Sequence, residues 1–413
     1  MYANFIRIFT HTGAEGPKIV RATYYQIQAS HKCQPLLPNL LEIYCLDVWK
    51  EVYFLLSPSL RRVKIFDGQR TNSFSSSVSF FVNALPKICP DIQSLEICVD
   101  LSISALRSIQ NLTKLQYLGL DFNLAPQSSN IKYITGFSAL PNLRLLKLSP
   151  PFSRQLESSF WKSQRLSNYP ESFCGLHPLD FSASLDVIAN ALPSFLSSNL
   201  TTFGAQVIYN EDEDDEIPME QLWSGVCDTL MKHARSPSSS LRELMFAVTS
   251  IDFPPTGVEA FQPLLELHGL ETLIFDMPLE DFEDETLSNW ASAWPNLKTF
   301  ELSSSEYFIT LSGIIKFLQL CRDLKKLKLG FDANEWSFVP EMPPTPSLCH
   351  CLKDWDISGS QVSQYTLDPV MDILRWVFMD LEDIKSRSDD VEFDIPSEVL
   401  PHTLERVLQV RKW

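Results

Sequence analysis

The chain has 413 residues, 45% apolar and 21% charged, a globular composition with room for a large core or several domains. Its 34 basic against 51 acidic side chains leave a net charge of −17 at pH 7, which works against any surface that must track phosphates or an anionic bilayer. Glycine is scarce, 13 residues in all, so glycine-rich phosphate cradles are not expected.

The N-terminus, Met1 to Thr10, has no basic stretch followed by an apolar run and a small-residue cleavage site, so no secretory signal is visible. No run approaches the roughly 20 apolar residues that span a bilayer. A cytoplasmic or nuclear protein is expected. The nine cysteines are odd in number and scattered, which suits reduced, mostly buried thiols. In that setting the sequons at Asn111 and Asn199 carry no glycosylation meaning.

Residues 1–35 read as an N-terminal cap or remnant, and residues 36–360 as a repeat region. The unit is L-x-x-L-x-L. Its clearest copies are Leu115-Gln-Tyr-Leu118-Gly-Leu120, Leu143-Arg-Leu-Leu146-Lys-Leu148, Leu270-Glu-Thr-Leu273-Ile-Phe275, Leu297-Lys-Thr-Phe300-Glu-Leu302 and Leu324-Lys-Lys-Leu327-Lys-Leu329. Weaker copies start at Leu40, Leu60, Ile92, Leu200, Leu241 and Leu352. From residue 241 onward the steps are 29, 27, 27 and 28 residues, at the long end of leucine-rich-repeat periods. The step from Leu143 to Leu200 is 57 residues, about twice the late period, and predicts one degenerate copy in between.

Within a copy the apolar residues alternate with polar ones, as on a strand; between copies they fall at steps of three and four, as on a helix. Val78, Phe81, Val82, Leu85 and Ile88 make one such stripe, Leu287, Trp290, Ala291 and Trp294 another, and Leu311, Ile314, Ile315 and Leu318 a third. One such unit cannot bury its apolar side alone, so neighbours must stack. The expected fold is therefore an α/β leucine-rich-repeat solenoid, a horseshoe with a parallel concave sheet and convex helices.

Three segments break the period: a proline- and serine-rich insertion at about 150–175, a loop at about 209–218 holding the six acids Glu211 to Glu216, and Pro340 to Pro346. The acid block lacks the glycine and spacing of a calcium loop and reads as solvated. Residues 361–413 read as a C-terminal helical cap and tail, with apolar residues at 370, 373, 374, 377, 378, 381 and 384.

Leu36-Leu-Pro-Asn-Leu40, Phe54-Leu-Leu-Ser-Pro-Ser-Leu60-Arg-Arg-Val-Lys-Ile65 and Leu140-Pro-Asn-Leu143 resemble phrases of fungal, basidiomycete-type F-box proteins with leucine-rich repeats. The resemblance implies an SCF-type ubiquitin ligase, in which an F-box of some 40 residues docks on the adaptor and the repeats hold the substrate. The chain departs from that pattern at its N-terminus, where the F-box opening L-P-x-E is not readable. Its nearest imitation, Ile395-Pro-Ser-Glu-Val-Leu400, stands at the other end and reads as a terminal helix. An adaptor is thus an expected partner only if an F-box lies upstream, and an orphan repeat scaffold with no ligase link is the competing reading.

No catalytic, cofactor or metal motif accompanies the repeats. G-x-S-x-G, H-E-x-x-H, C-x-x-C and Walker patterns are missing, and none of the seven histidines sits in a triad signature. Cys349-His350-Cys351 brings three metal-ligand types together, but adjacent residues of an extended chain point to opposite faces, so structural cysteines are expected. A non-enzyme is expected, with no cofactor. Binding is then expected at the outward positions of the strands: Arg62, Lys64 and Phe66; Tyr117 and Asp121; Leu145 and Lys147; Ile274 and Asp276; Glu301; Lys326 and Lys328; and Asp354 and Asp356. Mixed charge interleaved with Phe66, Tyr117, Leu145 and Ile274 suits a protein partner, and neither nucleic acid nor membrane. Lys326 and Lys328 beside Asp354 and Asp356 also suit cross-strand pairing.

Overall fold

The computed structural model describes residues 5–11, 26, 35–46, 50–66, 75–99, 101–121, 136–149, 173, 175–197, 199–209, 218–235, 239–250, 252–303, 309–332, 351–358, 360 and 383–385. The chain divides into two compact units, Met1–Pro218 with Lys232–Leu241, and Met219–Met231 with Arg242–Trp413.

In the first unit β1 (Ile8–His11), β2 (Glu42–Cys45), β3 (Arg62–Phe66), β4 (Ser94–Cys98), β5 (Tyr117–Asp121), β6 (Leu145–Ser149), β7 (Pro178–Ala183) and β8 (Thr202–Val207) follow one another in a parallel sheet, each paired to the next. Between strands the chain forms α1 (Ser75–Ile88), α2 (Ile103–Ile109) and α3 (Leu185–Ala191), with 3-10 turns at Lys50–Leu55, Gly136–Ala139 and Leu192–Ser194. The degenerate copy expected between Leu143 and Leu200 is Leu176-His-Pro-Leu179-Asp-Phe181, with all three apolar residues buried and β7 running through it. One strand also precedes the repeats read from the sequence, because β1 lies within residues 1–35 and pairs with β2.

In the second unit β9 (Glu243–Val248), β11 (Thr272–Asp276), β13 (Thr299–Leu302), β14 (Lys326–Lys328), β15 (Asp354–Asp356) and β16 (Asp383–Lys385) are likewise parallel neighbours, while β10 (Thr256–Gly257) and β12 (Leu279–Glu280) form a separate short pair. Its helices are the Met219–Met231 part of α4 (Met219–Ala234), then α5 (Asp284–Ala293) and α6 (Leu311–Leu320). The apolar stripes at 287–294 and 311–318 fall on and just beyond α5, and on α6, with every stripe residue buried. Parallel strands with intervening helices in a leucine-rich period make each unit a leucine-rich-repeat array of the α/β class.

Ile384 corrects one detail of the tail. Counted in the sequence as the last residue of a helical stripe, it stands in β16 opposite Trp355. An apolar residue between two charged ones satisfies either period, and a run this short cannot distinguish them. Residues 361–382 and 386–413 of the proposed cap, most of the 150–175 insertion, the acid block and Pro340 to Pro346 lie outside the described residues.

Register is fixed just before each strand. Gln93 N donates to Arg61 O at 2.8 Å, Gln116 N to Gln93 O at 2.8 Å and Arg144 N to Gln116 O at 2.8 Å; in the second unit Lys298 N donates to Glu271 O at 2.7 Å and Lys325 N to Lys298 O at 2.8 Å. With the rung fixed, every Leu-x-x-Leu-x-Leu puts its apolar residues on one side. Leu95, Leu118, Leu146, Leu179 and Phe203 are then stacked and fully buried, as are Leu244, Leu273, Phe300, Leu327 and Trp355. The Pro-Asn step before several strands adds a second tie between repeats, since Asn142 Nδ2 donates to Thr113 O at 2.6 Å and Asn296 Nδ2 to His268 O at 3.1 Å. The low glycine count is compatible with this build, because these turns are closed by asparagine, serine and proline.

Aromatic side chains carry the core of the second unit. Phe246 and Phe275 stack at 5.4 Å between centroids, Phe261 meets Phe275 edge-on at 4.8 Å, and Trp290 continues the line 5.4 Å from Phe275. Phe275 thus has neighbours in the repeats on both sides. A second joint links α5 to α6: Asp284 Oδ1 accepts from Thr310 N at 2.8 Å, and Thr310 Oγ1 in turn accepts from Gly313 N at 3.1 Å, capping α6. A Cβ on Gly313 would stand 2.1 Å from Asp284 Oδ1. Gly313→Ala should therefore lower stability by about 1–3 kcal/mol through overpacking, although alanine is the better helix former, and Phe275→Ala by about 3–5 kcal/mol through cavity formation. Urea unfolding of the variants measures both; a stabilised Gly313→Ala chain would contradict the Asp284 joint.

Candidate protein-binding face

Because leucines and their substitutes occupy the inward positions, the intervening side chains of each sheet face outward. All fourteen residues expected from the sequence occupy these positions and are exposed or half-buried. They divide between the units. Arg62, Lys64, Phe66, Tyr117, Asp121, Leu145 and Lys147 belong to the first, and Ile274, Asp276, Glu301, Lys326, Lys328, Asp354 and Asp356 to the second.

On the first unit, Tyr117 and Leu145 are register partners and form an apolar pair. Toward β1 the charges compensate one another. Arg62 Nη1 lies 3.1 Å from Glu42 Oε1, Tyr44 Oη donates to Glu42 Oε2 at 2.7 Å, and Lys64 Nζ lies 2.8 Å from Glu96 Oε2 and 4.8 Å from the centre of the Phe66 ring. The bond to Glu42 raises the Tyr44 phenol above its ordinary pKa, with burial adding to it. Burial, then the Glu96 and Asp180 carboxylates, pushes Tyr117 up to about 12.

Toward β8 the pattern changes. Lys147 on β6 and Asp180 on β7 are register partners, yet neither side chain makes a hydrogen bond or an ion pair among the described residues. A Cβ on Gly204, the register partner of Asp180 on β8, would lie 2.5 Å from Asp180 Oδ1, so the carboxylate lies over the glycine. Burial raises the Asp180 carboxyl above the usual range, and Lys147 offsets part of that.

On the second unit, Met245 and Ile274 are register partners and form the apolar pair, with Met245 41% exposed. Around them Glu271 is clamped between Lys298 and Arg242, which hold its carboxyl below the ordinary range in that order. The cross-strand pairing expected of Lys326 and Lys328 takes a different form. Both stand in register with Asp354 and Asp356, but Lys326 Nζ reaches back to Glu301 Oε1 at 2.6 Å and Lys328 Nζ to Ser303 Oγ at 2.6 Å. Asp356 Oδ1 is occupied locally by Ser358 N at 3.0 Å, and the longer Glu301 offers the lysine a reach that a strand aspartate lacks. Pairs this exposed contribute about 0–1 kcal/mol each, so they shape the surface more than they hold the fold.

Glu42, Tyr44, Asp180, Gly204 and Met245 on these faces are not among the fourteen positions expected from the sequence. Asp180 was missed because the β7 copy was not recognised; once Leu176, Leu179 and Phe181 are aligned, the position between the last two faces outward, while Gly204 was already legible in the Leu200 copy, Leu200-Thr-Thr-Phe203-Gly204-Ala205. Met245 was legible in Leu241-Arg-Glu-Leu244-Met-Phe246 by the same rule.

Four of the described thiols are part of the core. Cys45, Cys89 and Cys321 are buried and pushed up to about 12 by burial, and burial likewise raises Cys227. Cys351 is exposed, while Cys349 and His350 lie outside the described residues, and no group of three metal-ligating side chains occurs among the described residues. No helix among them is long and apolar enough to cross a membrane.

No family model and no curated protein matches this chain. Among solved structures it is similar to the yeast Rad7 and Elc1 complex, at 12% identity over 83% of each chain with a TM-score of 0.41, and to an internalin from Listeria monocytogenes, at 11% identity over 91% of this chain and 96% of that one with a TM-score of 0.35. Likenesses this remote add nothing to the strand order and packing, on which the fold assignment rests.

Two outcomes follow from this geometry. The folded Asp180 holds its proton to higher pH than the unfolded chain does, so its contribution favours folding at low pH and is lost as pH rises through the folded pKa. Asp180→Asn should therefore raise the melting temperature at pH 7 and lose that advantage as pH falls toward the ordinary carboxylate range; a lowered melting temperature at pH 7 would contradict an unpaired carboxylate. In alkylation followed by mass spectrometry, Cys351 should label in the native protein, and Cys45, Cys89 and Cys321 only after unfolding.

Proposed function

We propose that the protein is a non-enzymatic leucine-rich-repeat protein that binds other proteins through the outward faces of its strands. The observation that carries this is the juxtaposition of an apolar pair with ordered charge on each unit, Tyr117 with Leu145 and Met245 with Ile274, an arrangement of apolar anchors and a polar surround suited to protein recognition. Three of the four described histidines support a non-catalytic reading. His177 Nδ1 bonds Asn199 O at 3.1 Å and His268 Nδ1 bonds Ala293 O at 3.1 Å, both tying repeats together, while His233 is desolvated and its pKa lowered by burial. The balance of charge on the faces favours a protein over a nucleic acid or an anionic membrane as partner. Free buried thiols support a cytoplasmic or nuclear setting.

The finer reading is a role similar to that of the substrate receptor of an SCF-type ubiquitin ligase, supported by the resemblance of the Leu-Pro-Asn-Leu phrases. The competing reading is a repeat scaffold with no ligase link. In that reading β1, at residues 8–11, serves as a strand of the repeat sheet like those that follow it.

Affinity purification with quantitative mass spectrometry tests both levels. Met245→Glu with Ile274→Glu, or Leu145→Glu, should reduce recovery of specific partners at least tenfold, about 1.4 kcal/mol or more, while Lys316→Glu on α6 leaves it unchanged. Equal recovery by all variants would remove the face-binding reading. If the SCF adaptor is recovered neither with this chain nor with one carrying additional N-terminal sequence, the ligase role fails and the scaffold stands.

A further inference from the structure

Outward charge on the first unit is distributed unevenly. Across β2, β3 and β4 Glu42 is paired with Arg62, and Lys64 with Glu96. Two strands further on, Lys147 and Asp180 sit side by side in register with nothing bound to either among the described residues. Proximity alone would let them pair. They do not, because Asp180 lies over Gly204, in a space that only glycine leaves open. On the other side of Lys147 stands Gly119, its register partner on β5, where a Cβ would meet Glu96 Cγ at 3.0 Å and Tyr117 Oη at 3.1 Å. The row therefore reads Lys64, Glu96, Gly119, Lys147, Asp180, Gly204, with the first two charges paired and the next two separate.

A half-buried carboxylate without a partner disfavours folding, and a lysine beside it that remains in solvent recovers little of that cost. Such a pair gains most from a ligand that answers both charges at once. We propose that Asp180 and Lys147 form a two-charge anchor for a protein partner, Asp180 receiving an arginine or lysine and Lys147 an aspartate or glutamate of one partner segment. This names the partner chemistry for the first unit's face and rests on the protein-binding reading above.

The spacing selects the segment. Adjacent strands are about 4.8 Å apart. Helix neighbours at i,i+3 or i,i+4 have Cβ atoms about 5–6 Å apart, so an acid and a base one helical turn apart match the two strands, with Tyr117 and Leu145 beside them to take an apolar residue. Asp180 repels a polyanion, and a simple cation leaves Lys147 unanswered.

The test is a display library of helical peptides randomised at surface positions and panned on the full chain. Enriched clones should carry a basic and an acidic residue at i,i+3 or i,i+4. They should bind Asp180→Asn and Lys147→Met at least tenfold more weakly, while both variants keep a native melting transition. The specific signature is a charge swap: Asp180→Lys should lose the clones and recover binding when their basic residue is changed to glutamate. Clones that bind Asp180→Asn as tightly as wild type, or a swap that recovers nothing, overturn the anchor. If those clones are instead lost on Ile274→Glu, face binding survives and only the anchor falls; if no clone is enriched, or none responds to a substitution on either face, both fall.

Discussion

The hydrogen bond made just before each strand is the constraint from which the rest of the molecule follows. By tying Gln116 to Gln93 and Lys325 to Lys298, it sets each repeat against the last in a single register. A strand alternates sides at every residue, so a slip of one position would turn Leu118 and Leu120 toward water and Tyr117 and Gly119 into the core. Register thus decides core and surface together. The surface residues are a by-product of burying the leucines, and this is why the composition of the outward face is specified without any fixed motif.

The two units fill the same plan with different chemistry. The first fills the inward positions of β3 to β6 with aliphatic residues and turns to phenylalanine only on β7 and β8, whereas the second places aromatic rings at inward positions of β9, β11, β13 and β15 and gains contact area between repeats. Polar joints supplement both: asparagine side chains that reach a preceding repeat, and Asp284 that receives the cap of α6. Net acidity is a poor guide to the faces. The block at Glu211 to Glu216 concentrates six acids in one segment, while the outward strand positions alternate in sign.

The fold was legible because its signal is redundant. Leu143, Leu146 and Leu148 would mean little once, but the pattern recurs with nearly constant spacing, and the helical stripe at Leu311 to Leu318 falls between copies as it should. The repeat at Leu176 was harder to see because Pro178 and Phe181 replace the usual residues and an insertion displaces it from the period. Ile384 was misassigned for want of length, since three residues cannot show a period. For the site, residue positions were readable and interactions were not. That Lys326 pairs with Glu301 while Asp356 is held by Ser358 depends on side-chain reach and local competition. That Asp180 stays apart from Lys147 depends on a glycine one strand away, which no local reading of β7 contains.

A partner seated on the outward strand positions must protect the strands that carry them. Hydrogen exchange of the chain, alone and in complex with a partner recovered from its native source, addresses this directly. Peptides from the strands of the β3 to β8 row or of the β9 to β15 row should gain protection, while peptides from the intervening helices α1, α5 and α6 should not. Protection confined to the helices would contradict a partner seated on the strands.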